Sequence, residues 1–370
     1  MKTLNEQIER LRELVRKCYG AVAGKNGTVP EVGERNMENL PAAIGSIKSA
    51  SEVPKVKVSS LQVSNDCINE DGRWEGDVLI DTSLLKSINF NSCTNLKYID
   101  CSYWNTSNFT SLFYLFRGCK NLESIVGLNQ LDTSKVTNMG ESFYGCSSIK
   151  ELNLSNWDTS NVTNMGATFR DCNSIEELDV SNFDTSKVTK MGYLFSGVKS
   201  VKGYENLDTS NVVDMARLFG EIPNMRKLDL HNWDVRKVRS FWFFLYGTFY
   251  LEEIDITGWE TPSVSEFDMI THGDRLWTLL GGKGIDEVLQ NDIYTLKGIK
   301  VSFSLRSTII DTASIVAVIN GLADLTGQTS QTLTFGTKIG TRLDTEQIAG
   351  IPAKDYLAGK ASAKNWTISY

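Results

Sequence analysis

Between about residue 100 and residue 260 the hydrophobic positions change period at regular intervals. At Leu152 and Leu154 apolar residues alternate with polar ones, and the alternation returns at Leu178/Val180, Leu228/Leu230 and Ile254/Ile256. A period of two predicts a half-buried strand. Further along each unit the apolar positions fall at i, i+4 and i+7: Leu112/Phe116/Cys119, Met139/Phe143/Cys146, Met165/Phe169/Cys172 and Met191/Phe195/Val198. That spacing predicts one face of a two-turn helix. Asp-Thr-Ser, between strand and helix, supplies side-chain oxygens that can cap exposed backbone N–H groups as the chain turns.

The same arrangement recurs. Leu131–Met139, Trp157–Met165, Phe183–Met191 and Leu207–Met215 align residue for residue, with weaker copies at Trp104, Trp233 and Trp259. From Trp104 to Trp259 the steps are 27, 26, 26, 24, 26 and 26 residues, which makes seven units. One such unit cannot bury a core by itself, but stacked neighbours can. The expected fold is therefore an α/β solenoid, a leucine-rich-repeat-like stack of short strand plus short helix. Cys93, Cys119, Cys146 and Cys172 recur at 26, 27 and 26 residues, at the position Val198 later holds. One thiol per turn predicts a buried column, whereas a metal cluster needs ligands that converge on a point.

The flanks differ from the repeat. Leu4, Ile8, Leu11, Val15 and Cys18 follow the 4-3-4-3 spacing of a coiled-coil seam. Residues 1–50 are expected to be a helical attachment or self-association segment, with packing onto the rest of the chain as the alternative. The solenoid is assigned to residues 51–274, with entry strands over 51–80 and units running to about 270. Residues 275–370 carry strand patterns at Val301–Leu305, Thr332–Phe335 and Trp366–Tyr370. A helix capped by Thr312 lies between them, with Ile315, Val318, Ile319, Leu322 and Leu325 on its core side, and another begins after Thr345. These strand–helix turns are expected to cap the solenoid, whose last repeat would otherwise expose its apolar face.

Charge and chemistry narrow the function. The 370 residues carry a net charge of −7, which gives no electrostatic footprint for nucleic acid. No apolar run reaches the length of a membrane-spanning helix, and the charged N-terminus lacks the apolar core of a signal peptide. The expectation is folding in a cytoplasm with the seven cysteines reduced. His231 and His272 are the two histidines, and neither sits in a metalloprotease-like motif; Gly281-Gly282-Lys283-Gly284 lacks the spacing of a phosphate-binding loop. No catalytic residue, metal or cofactor is expected.

Candidate binding residues remain. Asp100, Asn153, Asp179, Asp229 and Asp255 hold one outward strand position in successive units, with Glu151, Glu177, Lys227 and Glu253 two residues before. A residue repeated in every turn usually serves the turn; a ligand-binding surface, glycan hydrolysis or cation binding are the alternatives. Asp179, Lys227, Asp229 and the nearby His231 are the candidates on this face. Unit six breaks the pattern with Phe241-Trp242-Phe243-Phe244-Leu245-Tyr246, and Trp242 stands where other units have Gly140, Gly166, Gly192 and Ala216. Trp242 and Tyr246 are expected either to be covered by the C-terminal region or to form a contact site for a protein or sugar.

The unit L-x-x-L-x-L-S-x-W-D-T-S-x-V-T-x-M-x-x-x-F-x-x-C resembles the BspA-like leucine-rich repeat of bacterial surface proteins and some phage proteins, over roughly residues 80–270. Unit five departs by losing two residues, and unit six replaces Thr-Ser with Val235-Arg236. Leu11–Leu14 through Asn36–Ile44 resembles N-terminal segments of tail and fibre proteins in phages of gut anaerobes, and Ser362–Ile368 is similar to capping turns that accompany such repeats. The resemblance implies adhesion or protein interaction. It gives as the first expectation a non-enzymatic phage virion protein, tail or fibre associated. Its partners would be other virion proteins or a host surface glycan or protein, with self-association through the N-terminal helix and no membrane insertion. A bacterial cell-surface adhesin is the alternative, and a polysaccharide-degrading tail enzyme a further one.

Overall fold

The computed structural model describes residues 59–74, 82–264, 276–277, 285–291, 296–305 and 309–370. The seam positions Leu4, Ile8, Leu11 and Val15 lie outside them. The described chain winds as a solenoid whose successive turns lie side by side. Short parallel strand pairs mark one face. They are β1 (Ser60–Gln62) with β2 (Ser87–Asn89), β3 (Tyr98–Asp100) with β4 (Ser124–Val126), β5 (Leu178–Asp179) with β6 (Val201–Lys202), and β7 (Lys227–Asp229) with β8 (Glu253–Asp255). Within β7 and β8 the alternation reads as the sequence implies: Leu228 and Ile254 are buried between flanking charged residues.

The predicted short helices are absent. The i, i+4, i+7 stretches are strings of reverse turns bonded sideways to the next turn of the solenoid. From Met139 to Gly145 every second N–H leaves its own segment. Met139 donates to Asn164 O (2.9 Å), Glu141 to Gly166 O (2.9 Å), Phe143 to Thr168 O (2.9 Å) and Gly145 to Arg170 O (2.8 Å). The intervening N–H groups close tight turns, with Ser142 donating to Met139 O, Tyr144 to Glu141 O and Cys146 to Phe143 O. Such a path needs a left-handed residue every four positions. Glu141, Ala167, Tyr193, Arg217 and Phe243 all have φ between 51° and 61°. A four-residue turn and a helical turn return side chains to the same face at nearly the same interval, so the hydrophobic pattern could not separate them. Hydrogen bonding decides it. A two-turn helix leaves most of its N–H and C=O groups unpaired, whereas this path gives them to the neighbouring turn.

Side chains form ladders inside the stack. Phe90, Phe116, Phe143 and Phe169 succeed one another with ring centroids 5.4, 5.9 and 5.8 Å apart, all fully buried. The cysteine column lies beside them, buried and unbridged. Each thiol donates to a main-chain carbonyl of the preceding turn: Cys93 to Val63, Cys119 to Phe90, Cys146 to Phe116 and Cys172 to Phe143, at 3.1–3.3 Å. Burial pushes the Cys93 thiol up to about 12 and the other three upward as well. None is poised as a nucleophile.

Asp-Thr-Ser does two jobs. The aspartates Asp132, Asp158, Asp184 and Asp208 accept from the N–H two residues ahead at 2.9–3.0 Å, the capping role expected of them. The threonine works between turns. Thr133 Oγ1 accepts the N–H of Asp158 and donates to its carbonyl, and Thr159 does the same to Asp184. These threonines are buried, so removing a hydroxyl would leave the main-chain groups it bonds without a partner.

Beyond unit seven the stacking continues in larger turns. Lys297 N–H donates to Trp259 O, and Thr261 N–H to Lys297 O. A two-residue strand, β9 (Leu276–Trp277), pairs with a later one, and α1 (Ile285–Asn291) follows. Then β10 (Phe303–Leu305), β11 (Ile309–Ile310), the partner of β9, and α2 (Thr312–Gly321) lead to β12 (Gln331–Phe335) and α3 (Thr337–Leu343). A two-residue hairpin of β13 (Gln347–Ile348) and β14 (Ile351–Pro352), then α4 (Ala353–Ser362) and β15 (Trp366–Ser369), complete the chain. β10, β12 and β15 form one parallel sheet, at the three places where strands are expected. Two details differ from the sequence reading. Asp311, not Thr312, caps α2 by accepting the N–H of Ser314 (2.9 Å). The helix expected after Thr345 begins at Ala353, because the hairpin intervenes.

Candidate binding surface

Two faces bring the sequence candidates to the surface, and they are not contiguous with each other in the repeat. The first is the strand face. Asp100, Asn153, Asp179, Asp229 and Asp255 each accept the N–H two residues ahead: Ser102, Ser155, Ser181, His231 and Thr257, at 2.9–3.3 Å. They therefore serve the turn that follows each strand. Ser181 bonds hold the Asp179 carboxyl below the usual carboxylate range. Across neighbouring turns the charges pair, Asp179 with Lys202 (3.3 Å) and Lys227 with Glu253 (2.8 Å). Such exposed pairs are screened by water and add little to stability. Asp229 meets no lysine among the described residues; its carboxylate lies 2.5 Å from His231 Nδ1, and that hydrogen bond holds the imidazole above its usual range.

The second face carries a row that sequence reading missed apart from its end. Tyr114, Arg117, Tyr144, Arg170, Tyr193, Arg217 and Tyr246 alternate across successive turns. Each guanidinium lies over two tyrosine rings, at 4.5–5.9 Å from their centroids. Arg117 also pairs with Glu141 and Arg217 with Glu221, both at 2.6 Å, and Arg170 contacts Asp171 at 3.5 Å, so a carboxylate accompanies every cation of the row. The signal was present in Arg117, Tyr144 and Arg170, each directly after a buried phenylalanine. It becomes legible only once the turns are in register. Trp242 and Tyr246 stand at the far end. Trp242 stacks on Phe243 (4.2 Å), which lies 5.3 Å from Tyr246, and all three are half-buried. Gly140 explains why a bulky residue is excluded from this position earlier in the stack. A Cβ there would come within 2.8 Å of the Asn164 side-chain nitrogen, which bonds Asn138 across the turns. In unit six Ser240 stands where unit two has Asn138, and its Oγ accepts the Trp242 N–H at 3.2 Å.

Residues 85–204 and 165–275 match the model of a family described as Mycoplasma protein of unknown function, DUF285. Together the two matches span just over half of the chain. The chain belongs to this family. The DUF285 matches begin at Leu85, next to β2, and cover all seven units and both faces described above. A leucine-rich repeat protein from Bacteroides ovatus is a solved structure to which this DUF285 chain is similar, at 14% identity over 76% of this chain and 67% of that one, with a TM-score of 0.30. No curated protein matches it.

Proposed function

We propose that the chain is a non-catalytic binding scaffold whose later units, around unit six, face a macromolecular partner. One observation carries this reading. The polar residues repeated in every unit are consumed by bonds within and between turns, whereas the departures from the repeat gather in one stretch. That stretch holds His231 in place of serine, Val235-Arg236 in place of Thr-Ser, Trp242 in place of glycine, and the half-exposed Phe249 and Tyr250. Surface side chains that depart from the repeat, such as His231, Arg236 and Trp242, are the ones a partner can read.

For the place of action, the resemblance of Leu11–Ile44 to phage tail segments supports a virion component, tail or fibre associated. The resemblance of the repeat to that of bacterial surface proteins supports a cell-surface adhesin as the second reading. Immunogold labelling of producing cells and of the particles they release separates them. Label on particles is the expected result; label on the outside of intact cells would transfer the scaffold to the adhesin class. Label confined to the cell interior would contradict both readings.

A further inference from the structure

Asp229, His231 and Asp255 come from two adjacent turns and offer donor atoms that all lie within 4.8 Å of one another. We propose that these three side chains form a surface site for a divalent transition-metal ion of the zinc class. The donor set is one imidazole nitrogen and two carboxylate oxygens, a mixture that suits a borderline cation better than a hard one. Zinc bonds of about 2.0–2.2 Å set tetrahedral ligand atoms about 3.4 Å apart, so the 2.5 Å contact between Asp229 and His231 must open around the ion while the widest gap closes, and exposed side chains can do both by rotation. The remaining coordination positions face solvent.

The strand register shows what is unusual about this pair of carboxylates. In the strand register Asp179 stands opposite Lys202 and Lys227 opposite Glu253, so facing charges have opposite sign. Asp229 stands opposite Asp255. Like charges directly opposite on neighbouring strands are destabilising, and a cation between them converts the repulsion into ligation. The third ligand is also a departure from the repeat, because His231 occupies the position of Ser102, Ser155, Ser181 and Thr257 in other turns. The backbone beneath is fixed: Asp229 N–H donates to the buried Tyr204 hydroxyl at 3.1 Å. The site does not rest on the scaffold reading. A zinc ion with open positions would, however, give the surface of unit six a Lewis-acidic contact for a carboxylate or a sugar diol.

Calorimetric titration of the untagged full chain with zinc chloride tests it. One site is expected, with His231→Ala and Asp255→Asn each weakening zinc by about tenfold or more, the scale that even outer-shell partners reach. Asp179→Asn, one strand pair away, is expected to leave the affinity unchanged, and thermal melting without zinc verifies that each variant folds. Absence of binding at millimolar zinc overturns the site. So does binding that His231→Ala and Asp255→Asn leave intact, because the ion would then lie elsewhere.

Discussion

Replacing Phe169 with alanine is expected to destabilise the solenoid by about 3–5 kcal/mol, the usual cost of deleting a fully buried phenyl ring. Phe169 is completely enclosed and packs on Phe143 at 5.8 Å and on Phe183 at 6.4 Å, so the lost ring opens the middle of the aromatic ladder. In a stack held together by nearest-neighbour contacts the damage has a second consequence. Turns on either side of unit three lose their coupling, and urea unfolding should broaden or split as well as shift to lower denaturant. Urea titration followed by tryptophan fluorescence reads both effects, since Trp157 lies before the break and Trp233 after it. A loss below about 1 kcal/mol, within the range of an ordinary surface change, would show that the ladder does not carry the stack.

Thr159→Val is expected to cost about 1–3 kcal/mol, although it keeps the shape of the side chain, because it leaves polar groups without partners. The Thr159 hydroxyl accepts the Asp184 N–H at 2.8 Å and donates to the Asp184 carbonyl at 2.9 Å. Valine provides neither bond, and both main-chain groups lie on the next turn. The chain contains its own comparison: Val235 holds this position in unit six and interrupts the threonine ladder between Thr209, which bonds Asp234 O, and Thr261, which bonds Lys297 O. Chemical denaturation of the variant beside the parent protein measures the difference. An unchanged midpoint would mean that the ladder is incidental to the stacking.

Much of this architecture was legible because stacking forces repetition. A residue that touches its own counterpart in the next turn must recur, and Phe143/Phe169, Cys146/Cys172 and Thr133/Thr159 all do. The strand face was equally readable, since Leu228 and Ile254 alternate with charged neighbours. What misled was local conformation. Hydrophobic spacing reports which side chains share a face, and Met165, Phe169 and Cys172 share one whether the backbone is helical or folded into left-handed turns. Nothing at Glu141, Tyr193 or Arg217 advertises a positive φ, a conformation more usual for glycine or asparagine. The candidate surface was legible in part. Trp242 and Tyr246 stood out as departures, but the row from Tyr114 to Arg217 and the meeting of Asp229, His231 and Asp255 depend on which turns become neighbours.

Ala167→Gly gives the most direct test of the central claim, that the apolar i, i+4 stretches are left-handed turns docked on the next coil. Ala167 has φ of 54°. A left-handed conformation costs a residue with a Cβ about 1–2 kcal/mol, and glycine is spared that cost though it gains freedom in the unfolded chain. Glycine at this position is therefore expected to raise the urea midpoint, a net gain of up to about 1 kcal/mol. In a helix the same exchange would lower stability by about 1 kcal/mol, so a lowered midpoint would contradict the turn architecture described here.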